Sequence, residues 1–177
     1  MKFKYEKTVL IKNLEKEFDF LSKSIEKINL PLGFSEFIFY VISELFINIK
    51  EHAQVNKGLI VLEIKNDKCF IKVRDRGIGL RQSYLKKKIV VKDDFSAIEF
   101  ALSGLSTKSS QERGFGLYSI KKLVETLRGD LIITTGSAKV LVQENKINLQ
   151  RLSQKFSGTM IEIKTPIKKL DFYKAII

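Results

Sequence analysis

The chain has 177 residues, 44% of them hydrophobic and 29% charged, which suits one folded domain with a sizeable core and favours a globular chain over a disordered one. Lysine and arginine number 32 against 20 aspartates and glutamates, a net charge of +12. That excess favours an anionic partner (nucleotide, nucleic acid, acidic protein or membrane surface) without choosing among them, and a lysine-rich solubilising surface explains it as simply.

Taken in chain order, residues 2–11 alternate loosely and predict a first strand. They lack the unbroken apolar stretch of a signal peptide. Asn13 can cap a helix running to about Asn29, with Glu15 and Glu17 in its first turn, and Pro31 and Gly33 end it. A second helix is predicted over 34–53, where Ile38, Val41, Ile42, Leu45, Phe46 and Ile49 follow the helical spacing. Glu36, Glu44 and Asn48 interrupt that apolar run, which falls short of the roughly 20 residues a membrane span needs. Two strands, "GLIVLEIKN" and "KCFIKVRD", flank a turn at Asn66–Asp67. The second holds Cys69, the one cysteine, which reads as a small core residue. With no internal disulfide available, the expected location is the cytoplasm.

A basic, polar stretch runs from Arg81 to Arg113, with short helical pieces near 82–88 and 94–103. "GFGLYSIKKLVETL" then predicts a helix opening just after a glycine pair. Three strands over 130–136, 138–143 and 158–165 finish the chain, with an irregular loop at 144–157 and Pro166 as the stop. Strands that cluster after helices, rather than alternating with them, point to an α+β two-layer sandwich and against a doubly wound sheet.

Three motifs carry chemistry. In "YVISELFINIKEHA", Tyr40, Glu44, Asn48 and His52 recur every fourth residue and so share one face of a helix. A buried carboxylate needs a partner or a purpose. The row is either a polar seam satisfied by its neighbours or the lining of a cleft, where Glu44 takes a proton and the amide oxygen of Asn48 suits a hard cation such as Mg²⁺. "VRDRGIGL" ends a strand in Asp75 followed by Gly77 and Gly79. An acid there can accept from an exocyclic amine, and glycines let a flat ligand approach, although ordinary turns look similar. "RGFGLYSIKKLV" places Gly114 and Gly116 at a helix start, where backbone N–H groups and the helix dipole favour phosphate. It is neither a P-loop nor the dinucleotide fingerprint.

In this order the motifs resemble the GHKL ATPase superfamily of gyrase B-type ATPases, histidine kinases, heat-shock chaperones and anti-sigma serine kinases. "SELFINIKEHA" resembles the N box, "DRGIGL" and "RGFGL" the two glycine boxes, and "FSGTMIEIKTP" the closing Gly-Thr strand. The resemblance implies a single Bergerat-fold domain over 1–177, with a mixed, mostly antiparallel sheet, helices on one face and a lid over about 81–113. It implies ATP and Mg²⁺ as ligands. Asp75 would bind the adenine amino group, with Thr159 nearby through a water, and Gly77 and Gly79 would shape the pocket. Asn48 would hold Mg²⁺, Glu44 would be the general base, and Gly114, Gly116 and the amide of Leu117 would meet phosphate. Lys108 and Arg113 of the lid, and His52, are further phosphate contacts. Against the last, His52 also reads as a hydrogen-bonded histidine at a helix end, and the run Lys86–Lys88 as a solvated face. Arg76 departs from the family pattern, which more often has a small polar residue there.

His52 is the only histidine, so a phosphoacceptor histidine for a complete sensor kinase is missing. The leading expectation is a stand-alone, kinase-like ATP-binding regulator that transfers phosphoryl from Mg-ATP to Ser or Thr of a partner protein, or hydrolyses ATP. The alternative is a nucleotide-gated, anti-sigma-like binding module with little turnover. Glu44 four residues before Asn48 resembles anti-sigma kinases and gyrase-like ATPases, whereas "STK" at 106–108 resembles histidine kinases. Nucleic-acid binding ranks last, for want of the transducer domain of the gyrase-like relatives. No membrane partner is expected, and the oligomeric state, homodimer included, stays open.

Overall fold

A computed structural model describes residues 2–104, 116–144 and 146–176. Strand β1 (Lys2–Leu10) leads through a short 3-10 turn into α1 (Leu14–Ile25), followed by α2 (Phe34–Asn48) and a π-helical turn (Ile49–Ala53). Strands β2 (Lys57–Lys65) and β3 (Lys68–Arg74) come next, then α3 (Gly79–Lys86), α4 (Asp94–Leu102) and α5 (Gly116–Thr126). Strands β4 (Asp130–Gln143) and β5 (Lys146–Pro166) and helix α6 (Phe172–Ile176) complete the chain.

The strands form one five-stranded sheet in the order β1-β2-β3-β5-β4. Every neighbouring pair is antiparallel, so the expected mixed sheet is a wholly antiparallel one. Its period-2 pattern sorts side chains onto two faces. Ile60, Leu62 and Ile64 of β2, Ile71 and Val73 of β3, Leu131 and Ile133 of β4 and Ile161 and Ile163 of β5 all enter one core. The opposite face shows charge, including the Lys72–Glu162 pair at 3.1 Å and the Lys4–Glu6 pair. The helices therefore lie on one face, in a two-layer α+β sandwich of the Bergerat type.

Helix α2 is the centre of the helical layer. Phe34, Phe37, Ile38, Val41, Ile42, Leu45 and Phe46 are all buried, each contributing about 1.5–3 kcal/mol relative to exposure. Helix α5 covers the neighbouring part of the sheet with Ile120, Leu123 and Val124. Helix α1 is held to the edge strand β1 by Glu17, which accepts from both Tyr5 and Lys7. Lys7 first and Tyr5 second hold the Glu17 carboxyl below the usual carboxylate range.

Several expected boundaries move. Helix α1 ends at Ile25 rather than near Asn29, and Asn13 lies in the 3-10 turn without a side-chain capping bond. The second helix is α-helical only to Asn48. The segments 130–136 and 138–143 are one strand, which passes Gly136 with a shift of register. The expected irregular loop at 144–157 is instead largely strand: from Lys146 onward it belongs to β5 and pairs with β4. Its side chains are mostly exposed, so it lacks the alternation that marks a half-buried strand.

Candidate nucleotide site

The row on α2 faces the start of α5. Burial lifts the Tyr40 hydroxyl above its usual range, a hydrogen bond with Ser119 of α5 offsets part of this, and the neighbouring Glu44 charge adds to it. One turn on, a Cβ built on Gly116 would stand 3.0 Å from Glu44 Oε2 and 3.8 and 3.9 Å from the side-chain nitrogen and oxygen of Asn48. The first residue of α5 thus packs directly on the carboxylate and the amide, with no side chain between. Leu117 follows in the same first turn and buries its side chain in the core.

Past Asn48 the helix continues as a π turn, Ile49–Ala53, which carries His52. His52 lies 3.6 Å from the carboxylate of Glu51, Nε2 to Oε2.

Asp75 follows the last residue of β3 and is 6% exposed. Its Oδ1 accepts from the backbone N–H of Gly77 at 2.7 Å and of Thr159 at 3.2 Å. Burial raises its pKa above the ordinary aspartate value, and the N–H groups of Gly77 and Thr159 oppose that shift. The loop is then clamped against the end of the N-box helix. Ile78 N–H donates to the carbonyl of Ala53 at 3.1 Å, and a Cβ on Gly77 would sit 2.0 Å from that same oxygen. Only glycine fits there. Gly79, at φ +76°, turns the chain into α3.

Two further residues complete this corner. Thr135 of β4, 1% exposed, accepts from Leu80 N–H at 3.2 Å and donates to the carbonyl of Gly158 at 3.0 Å. Gly158 passes so near Asp75 that a Cβ on it would lie 2.6 Å from Oδ1. Gly158 stands inside the Gly-Thr stretch already singled out. Thr135 is one of two adjacent threonines in a strand, and nothing in the local sequence distinguishes it.

Arg76 is exposed, and with Lys57 and Arg74 it lines a cavity of about 760 Å³ at the ends of β2 and β3. Helices α3 and α4 lean on β4 beside the site. Asp93 caps α4, accepting from Ser96 N–H at 2.8 Å, and Asp94 accepts from both the N–H (2.7 Å) and the hydroxyl (2.9 Å) of Ser137. Tyr84 of α3 meets Phe100 of α4 edge-on, with ring centroids 5.0 Å apart. Lys86, Lys87 and Lys88 are exposed, and Lys86 donates to Gln54 at 2.7 Å. Lys108, Arg113 and Gly114 lie outside the described residues.

Residues 33–169, more than three quarters of the chain, match the family of histidine kinase-, DNA gyrase B- and HSP90-like ATPases. The chain belongs to this ATPase family. No curated protein matches it. Membership implies ATP binding and ATP-dependent activity, and domains of this kind take ATP with Mg²⁺.

The residues present fit such an ion. Among the described residues no three His, Cys, Asp or Glu side chains cluster as a protein-only metal cage. Facing Gly116, Asn48 offers a hard amide oxygen beside the Glu44 carboxylate, and Mg²⁺, which keeps several waters and draws further ligands from phosphates, asks few protein oxygens. Among the described residues no helix is long and apolar enough to cross a membrane.

Proposed function

We propose that the chain is a kinase-like member of its family, transferring the terminal phosphoryl group of ATP to a Ser or Thr hydroxyl of a regulatory partner protein, or to water. The observation that carries this reading is the contact of Glu44 and Asn48 with Gly116, which joins a proton acceptor, an oxygen ligand and a helix N-terminus at one point. Asp75 accepts from the adenine amino group, Thr159 assists through a water, and Gly77 and Gly79 shape the adenine pocket. Asn48 holds Mg²⁺, which neutralises charge on the phosphates. Gly116 and the amide of Leu117, with Gly114, Lys108, Arg113 and His52, serve the phosphates.

The reaction asks little covalent chemistry of the protein and much positioning. Glu44 takes the proton of the attacking hydroxyl as its oxygen bonds to the γ-phosphorus, and the bond to the β–γ bridging oxygen breaks to release ADP. The donors at the start of α5 stay in place while negative charge shifts toward the leaving group.

A second reading, a nucleotide-gated binding module with little turnover, is favoured by one arrangement. The Asp75 loop and helix α4 are both tied to β4, at Thr135 and Ser137, so occupancy of the pocket has a short route to the surface. One experiment separates the two. Purified chain is given labelled ATP and Mg²⁺, with and without a cell extract, beside Glu44→Gln. Turnover that falls about 10²–10⁴-fold in the variant while nucleotide affinity holds supports Glu44 as base. Nucleotide binding without turnover selects the module. Unchanged turnover in Glu44→Gln rules out the base.

A further inference from the structure

Strand β5 is much longer than the neighbour on its inner side. On one edge it pairs with β4 from Lys146 to Lys164, but on the other β3 covers only residues 160–166. Beyond the bond between Asp75 N–H and the carbonyl of Thr159, the second edge has no strand partner among the described residues. The shifts of register lie between Thr135 and Gly136 and between Gly136 and Ala138, so Lys146–Arg151 pairs regularly with Ala138–Gln143. Its outer edge is a straight row of backbone donors and acceptors ready to receive a strand.

The side chains of that row state what it would take. All six residues from Lys146 to Arg151 are exposed. Ile147 and Leu149, 56% and 64% exposed, stand on the same face as their cross-strand partners Val142 and Val140, which are buried. They extend an apolar face past the point where the protein covers it. Basic residues dominate this edge: Lys146 lies on the face opposite Ile147 and Leu149, with Lys139 on the same face opposite Gln150. No acid occurs between 146 and 157, the exposed Glu144 standing at the hairpin end. Arg151, on the apolar face, lies over the Phe95 ring. A second copy offering the same edge would bring like charges together, which opposes self-pairing.

We propose that this edge is a docking site for an extended, acidic segment of a partner protein, which adds to the sheet as a sixth strand. Its apolar residues, spaced by two, cover Ile147 and Leu149, and its carboxylates, on the opposite face, meet Lys146, with Lys139 behind it. The backbone supplies most of the contact and the charges supply the choice of partner. This inference does not depend on what occurs in the nucleotide site.

The test uses the full chain and synthetic eight-residue peptides alternating Val with Glu, Val with Lys, and the Glu peptide with a central proline. Backbone amide signals of Lys146–Arg151 are followed by NMR during titration, together with their hydrogen exchange. The Val–Glu peptide should shift these signals and slow the exchange of the edge-facing amides. It should bind at least tenfold more tightly than the Val–Lys peptide, and the proline should abolish the effect. The double substitution Lys139→Glu and Lys146→Glu should reverse the preference, while Leu149→Ser should weaken both. Equal binding of both charges, or no change at 146–151 at millimolar peptide, overturns the proposal. So does concentration-dependent protection of this edge without peptide, which would make a second copy the occupant, or preferential protection by a short DNA duplex.

Discussion

Gly116 and Glu44 touch without an intervening side chain: a Cβ on the glycine would stand 3.0 Å from the carboxylate oxygen. The neighbour that must yield is the flexible end of a side chain, so Gly116→Ala should fold normally. At the first residue of α5 the gain in helix propensity should stay below the ~0.5–1 kcal/mol of a helix interior. Turnover should fall at least tenfold, because Glu44 is pushed off line and the approach to phosphate narrows. Thermal melting and ATP turnover, measured on the same samples, check the split.

Gly77→Ala should behave in the opposite way. Here the atom 2.0 Å from the new methyl is the backbone oxygen of Ala53, which also accepts from Ile78 N–H and cannot move aside cheaply. The substitution should cost about 1–3 kcal/mol. The melting midpoint should drop roughly 2–4 °C for each kcal/mol lost, with or without nucleotide.

Asp75→Asn should separate stability from binding. The amide oxygen can still accept from Gly77 and Thr159, while the charge that burial disfavours is gone. Because the folded carboxyl holds its proton more tightly than the unfolded one, the contribution of Asp75 to wild-type stability is highest below the unfolded value of 3.8 and falls as pH rises through the raised folded value. The apo variant should therefore melt above wild type at pH 7, and the gap should close as the solution is acidified. Nucleotide affinity should fall about 10–100-fold at pH 7, the loss expected when a charged acceptor is removed. Calorimetric titration with ADP at two pH values reads both effects.

Thr135→Val removes the hydroxyl that joins Leu80 N–H to the carbonyl of Gly158, at a position 1% exposed. Leaving both groups without that partner should cost about 1–3 kcal/mol. Hydrogen exchange should show the loss concentrated at Gly79–Leu80 rather than in α2.

Cys69 is 1% exposed, and burial pushes its thiol up to about 12. A thiol reagent at pH 8 should label the folded chain more slowly than the unfolded chain by a factor of about 10³–10⁶, the ratio set by the unfolded fraction. Denaturant should restore full reactivity in step with loss of helical circular dichroism.

Much of this was legible in the residues themselves. The apolar spacing of Ile38, Val41, Ile42, Leu45 and Phe46 marks α2, and the polar row on its other side is visible because Glu44 and Asn48 are out of place there. Asp75, Gly77 and Gly79 stand out because their residue types are chemically specific. What escaped detection rests on backbone pairing or tertiary contact. The outer part of β5 carries no buried side chain from 146 to 157, Gly136 looks like a break although β4 passes through it, and the π turn after Asn48 alters a helix without altering its composition. Thr135 matters only because Leu80 and Gly158 meet it in space.

The footing of α3 and α4 on β4 has a mechanical result. Leu80 is tied to Thr135 and Asp94 to Ser137, two residues apart around Gly136, while Tyr84 and Phe100 clasp the helices together farther out. Because both ties flank Gly136, lengthening the chain by one residue there should displace α3 and α4 together.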